Sequence, residues 1–133
     1  MKITRTVCGI LLSQTLAFGV AQTASAAPTD YAFNVATSEL HQGAGAIISV
    51  ALTDLRTNKP VADAVIFTTR LDMAPEGMEG MTTPVEAVAS DVPGQYQFKA
   101  ELAMAGNWRF QIAAKVQGEP ETVQGELTLG VQK

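Results

Sequence analysis

Gln95-Tyr96-Gln97-Phe98-Lys99-Ala100-Glu101-Leu102 alternates polar and apolar side chains residue by residue, and Trp108-Arg109-Phe110-Gln111-Ile112 repeats the pattern shortly after. A period of two sends every second side chain to the same face. Each run therefore reads as a β-strand with one face in a core and the other in water. Ala105-Gly106-Asn107 punctuates the two, and Ala114 and Lys115 extend the second. Working outward, Tyr31, Phe33 and Val35 share one face of an earlier strand. Ala46, Ile48, Val50 and Leu52 share a face of the next, and Ile47 and Ala51 make its other side apolar too, as expected of a central strand. Ala64, Ile66 and Thr68 alternate with Val65, Phe67 and Thr69, while Val85, Ala87 and Ala89 mark a weaker strand. Val123, Leu127 and Leu129 close the series. Turn formers separate these runs at Asp54 to Pro60 and at Asp91-Val92-Pro93-Gly94. About seven short strands with such spacing predict an all-β fold, an immunoglobulin-like β-sandwich. Residues 27–133 are expected to form a single domain around one modest core.

The first 26 residues read differently. Lys2 and Arg5 precede a largely apolar stretch from Val7 to Val20, and Ala24-Ser25-Ala26 supplies a small-x-small cleavage pattern. The expectation is a signal peptide at 1–26, cut near Ala26, and a periplasmic or secreted bacterial protein with no stable membrane anchor. Cys8, the only cysteine, would leave with it. Without Lys2 and Arg5, seven basic residues face thirteen acidic ones, a formal charge of −6. That balance argues against nucleic acid, which normally needs a basic patch, and is compatible with cations or basic partners.

Four methionines remain beyond Met1. Met73, Met78 and Met81 fall within nine residues of a Gly- and Pro-broken segment, Leu71-Asp72-Met73-Ala74-Pro75-Glu76-Gly77-Met78-Glu79-Gly80-Met81, read as a loop too broken for a regular strand. Met104 stands just before Trp108. In an exported chain without cysteine, thioethers are the remaining sulfur ligands, and soft sulfur favours Cu(I) among biological metals. Met73, Met78 and Met81, with Met104 if the two segments meet, form the candidate metal set. The competing reading is that methionine, flexible and polarizable, fills irregular apolar gaps, and Met104 in particular is expected in the core. His41, the only histidine, is a candidate further ligand or an exposed loop residue. Asp72, Glu76 and Glu79 could add carboxylates, but they lack the ligand spacing of a calcium loop.

The residues also resemble a family. Val92-Pro93-Gly94-Gln95-Tyr96, followed by Met104-Ala105-Gly106-Asn107-Trp108, looks like the G-x-Y and M-A-G-x-W ending of FixH-like and YtkA-like envelope domains. Asn58-Lys59-Pro60-Val61-Ala62-Asp63-Ala64 resembles their G-K-P-V-x-G-A turn and strand, and the methionine segment sits where such domains carry M-P-x-M. The resemblance spans roughly residues 30–130. It implies a small β-sandwich and, for several kinds of member, copper or heavy-metal handling or assembly of copper-containing oxidases. This chain departs from the commonest pattern in having no histidine directly after the methionine segment.

Catalysis finds little support. No Ser/His/Asp pairing, catalytic cysteine or phosphate-binding glycine loop can be placed, so the chain is expected not to be an enzyme. Trp108 and Tyr96, alternating in step with Phe110 and Phe98, are expected in the core rather than stacking on a ligand. Two functions stay open: a periplasmic copper chaperone or buffer, and a non-catalytic envelope assembly module that uses the same segment as a hydrophobic contact.

Overall fold

The computed structural model describes residues 28–133; the expected signal peptide, its cleavage site at Ala26 and Cys8 lie outside them. Ten strands form two sheets: β1 Tyr31–Val35, β2 Leu40–His41, β3 Gly43–Asp54, β4 Lys59–Pro60, β5 Val65–Met73, β6 Met78–Thr83, β7 Val85–Val88, β8 Gln95–Leu102, β9 Gly106–Lys115 and β10 Val123–Gln132. One sheet runs β1-β3-β8-β7 with β4 on β3, and the other runs β2-β10-β9-β5-β6. Short 3₁₀ turns at Pro28–Asp30 and Ala74–Glu76 complete the described residues, none of which lies in a helix able to cross a membrane. The architecture is an immunoglobulin-like β-sandwich, as the alternation requires.

The inward residues are those the period of two selects. Ile48, Val50 and Leu52 from β3 and Phe98, Ala100 and Leu102 from β8 meet Trp108, Phe110, Ile112 and Ala114 from β9. Phe98 and Phe110 join the sheets edge to face, with centroids 5.3 Å apart and planes at 64°. That geometry sets the positive edge of one ring against the negative face of the other. Each such ring contributes about 1.5–3 kcal/mol by leaving water. In β10 the inward series Val123, Leu127, Leu129 skips Gly125 because the Phe33 ring occupies that place: a Cβ on Gly125 would stand 2.5 Å from Phe33 Cδ2.

All seven expected strands are present, and three more join them. β2 and β4 are two-residue pairings too short to alternate. β6 corrects the reading of the methionine segment as a loop, since Met78–Thr83 pairs with the end of β5. Its glycine and threonines, poor in hydrophobic periodicity, are held by the neighbouring strand rather than by their own burial. The apolar second face of β3 fits a central strand, as expected, but it stays open to solvent. The strand is central in its sheet, yet Ile47 is 41% exposed, because in a two-layer sandwich only one face meets the other sheet.

Candidate functional site

The methionine segment is a hairpin. β5 ends at Met73, Ala74–Glu76 makes a 3₁₀ turn with Pro75 near its start, and Gly77 closes it in the left-handed region at φ +74°. The Gly77 N–H donates to Ala74 O at 2.9 Å. Met78 then returns opposite Met73 in the β5–β6 ladder. Glycine is the residue that adopts this backbone without strain.

The four methionines take different places. Met73 is 1% exposed and belongs to the core. Its Cε lies under Gly106, where a Cβ would approach to 3.2 Å. Met78 is 37% exposed at the tip of the hairpin, and Met81 is half-buried against the core. Met104, expected in the core, is 38% exposed instead. It stands in the β8–β9 turn, whose ordered feature is its backbone: Met104 O accepts the Trp108 Nε1–H at 3.0 Å. Trp108, at 1% exposure, takes the buried place, as expected. Tyr96 is only half-buried, donating its hydroxyl to Val61 O at 2.7 Å and accepting from Ala64 N at 3.1 Å.

The hairpin and the β8–β9 turn lie at the same end of the sandwich. Glu76 ties them together, accepting from Asn107 N at 2.8 Å and from Asn107 Nδ2 at 3.0 Å. His41 lies toward this end too, since Gln42 Nε2 donates to Ala103 O at 2.9 Å. The His41 ring is exposed, with Nδ1 3.4 Å from Lys133 O and Nε2 3.8 Å from the Glu39 carboxylate. The sequence reads it as a loop residue; it sits instead in the two-residue β2 beside β10.

The carboxylates considered as additional ligands are already engaged. Asp72 is fully buried on the outer face of the β9-β5-β6 sheet. It accepts from Arg109 Nε at 3.1 Å, Arg109 Nη2 at 2.7 Å, Arg70 Nε at 2.7 Å and Ala74 N at 3.1 Å. Glu79 reaches Arg109 Nη2 at 3.3 Å. Arg70 and Arg109 were not singled out from the sequence. Their roles depend on the register that sets Arg109 opposite Asp72, and no local pattern encodes that. Among the described residues no three of His, Cys, Asp and Glu are grouped to hold a metal. The donors that fit a metal here are thioethers, with Met78 and Met104 reachable from solvent and Met73 beneath the surface.

A second polar cluster occupies the opposite end. Tyr31 donates to Glu119 Oε1 at 2.7 Å, and Arg56 donates to the Tyr31 hydroxyl at 2.9 Å. Arg56 also forks onto Asp54, with Nε to Oδ1 at 3.1 Å and Nη2 to Oδ2 at 2.9 Å. Arg56 further meets Glu119 Oε1 at 3.4 Å, so one guanidinium serves two carboxylates.

Fold and site together define a small all-β domain carrying a methionine-bearing pole. The chain belongs to the YtkA-like family, whose model matches residues 25–113. Among solved structures it is similar to the Lin-41 filamin domain, at 13% identity and a TM-score of 0.49, covering 82% of this chain and 98% of that one. It is also similar to the ZirS C-terminal domain, at 15% identity and a TM-score of 0.44, covering 100% of this chain and 87% of that one. No curated protein matches it.

Proposed function

We propose that this is a periplasmic metal-handling protein that binds Cu(I) through methionine thioethers, as a chaperone or buffer. The observation that carries the reading is the convergence of the Met73–Met78 hairpin and the Met104 turn at one pole, tied by Glu76 to Asn107. Thioethers are neutral and soft, so such a site takes Cu(I) without releasing protons and disfavours Zn(II), which prefers imidazole and thiolate. Met78 and Met104 are the accessible donors and Met73 the buried one, while Met81 is half-buried and His41 is exposed on β2. The expected signal peptide at 1–26 suits the reading, since its removal would take Cys8, the only cysteine.

Partial exposure of Met78 and Met104 also favours a second reading, in which the same pole is an adaptable apolar contact for another envelope protein. Anaerobic titration with Cu(I) against a chromophoric chelator separates the two. The metal reading expects competition by the wild type and its loss in Met78→Leu/Met104→Leu. No competition by the wild type refutes it and leaves the contact reading.

A further inference from the structure

β5 is paired on both sides only at its end. β9 accompanies it from Val65 to Asp72, but β6 reaches only Leu71, Asp72 and Met73. After Thr83 the chain meets Pro84 and leaves for the other sheet, where it becomes β7 on β8. The position beside Val65–Arg70 that β6 would have filled is therefore without a strand among the described residues.

Natural edge strands are normally guarded by lysine, proline, inward charge or extreme shortness. Val65-Ile66-Phe67-Thr68-Thr69 has none of these four, its one guard is a β-bulge, and it is among the most β-prone stretches of the chain. A bulge between Ile66 and Thr68 shifts the register at Phe67, and Val65 and Phe67 stand 63% and 57% exposed. Beside this edge lies a slot of about 250 Å³, lined by Ile66, by Ala87 and Val88 of β7, and by Tyr96 and Phe98 of β8. Two exposed carboxylates flank the slot: Asp63 and Asp91 adjoin lining residues, whereas Glu86 stands opposite Lys99 in the β7–β8 ladder. Asp63 lies between Ala62, which lines the slot, and Ala64, whose N–H donates to the Tyr96 hydroxyl at 3.1 Å.

We propose that Val65–Arg70 is a strand-addition site for an extended segment of another protein, one with alternating β-branched side chains and a basic end. The added strand takes the place β6 vacates, hydrogen-bonds along the β5 edge and drops alternate side chains into the slot. Its lysine or arginine meets Asp63 or Asp91. A second copy of this chain is the less suitable occupant. Six paired residues bury on the order of a few hundred Å² per side, short of the roughly 800 Å² per partner of a stable interface, and two net-acidic chains repel. The site needs no metal at the methionine pole and meets that pole only through Arg70, which bonds Asp72 and Glu79 O.

The test follows backbone amide resonances of the protein as the capped peptide Lys-Thr-Val-Thr-Val-Thr-Val-Lys is added. Saturable shifts at Val65–Arg70, with at least tenfold slower hydrogen exchange there, are expected. Ala87→Trp, which fills the slot from an exposed position, should weaken binding at least tenfold, and lysine-to-glutamate exchange in the peptide at least threefold at low salt. The proposal is overturned by unchanged amides at millimolar peptide, by shifts indifferent to Ala87→Trp, or by equal binding of the acidic peptide. Protection that rises with protein concentration alone, with a doubled mass, would instead assign the edge to a second copy.

Discussion

Arg109 grips Asp72 at two points across the β5–β9 ladder, with Nε on Oδ1 at 3.1 Å and Nη2 on Oδ2 at 2.7 Å. The pair is the polar counterpart of Phe110 and Leu71, the next partners along the same ladder, which face the core. Arg70 and the Ala74 N–H complete the shell, so the start of the methionine hairpin is pinned from the outer face. The geometry of the pole therefore rests on an ion-pair network one residue away from Met73.

That network sets an acid limit. The Arg109 hydrogen bonds, opposed by burial and reinforced by Arg70 and the Ala74 N–H, hold the Asp72 carboxyl down at about 2. A depressed carboxylate contributes stability that is complete above its unfolded value near 4 and drains away as pH falls through about 2. Urea midpoints between pH 7 and pH 2 should show a loss on the order of 2 kcal/mol in the wild type. Asp72→Asn should start lower and lack that component; parallel pH profiles for the two proteins would show that the grip contributes nothing.

Packing at the pole is testable without metal. Trp108→Ala should destabilise by about 3–5 kcal/mol, and Met73→Ala by about 2–5 kcal/mol, as large-to-small changes in a closed core do. Met73→Leu keeps the volume and should cost less than about 1.5 kcal/mol. It therefore removes one thioether from a folded protein. Chemical denaturation measures all three, and a Trp108→Ala cost below about 1 kcal/mol would contradict its burial.

Accessibility orders the methionines for oxidation. Dilute peroxide followed by peptide mapping should convert Met78 and Met104 first, Met81 later and Met73 last. Sulfoxides at the two exposed sites should leave the unfolding midpoint nearly unchanged. Early oxidation of Met73 would mean that the hairpin opens far more readily than its hydrogen bonds imply. If Cu(I) binds as proposed, it should protect Met78 and Met104 together.

The two tyrosines should titrate late. Burial and the hydrogen bond to Glu119 push Tyr31 up to about 12, and burial raises Tyr96. Absorbance at 295 nm should show less than half of the phenolate at pH 10. A group raised in the folded state gives stability that is full below its unfolded value and lost as pH climbs through its folded one. Unfolding should therefore become easier between about pH 10 and pH 12. Substitution of Glu119 by Gln should bring the Tyr31 titration down.

The fold was legible because a period of two is a local property. Ile48-Val50-Leu52, Phe98-Ala100-Leu102 and Trp108-Phe110-Ile112 state their inward faces without reference to any other strand, and burial in a two-layer sandwich follows. The methionine cluster was legible as composition alone. Tertiary structure decided which thioether is core and which is surface. Met73 continues the inward series of Leu71, whereas Met104 is turned out because the Trp108 ring occupies the buried place beside it. It also decided that Asp72 faces Arg109 and that, among the described residues, Val65–Arg70 has no strand on its second side, through the departure of the chain at Pro84. Both depend on register between residues far apart in the chain. A one-residue slip would exchange every face, and alternation by itself carries no record of which strands meet.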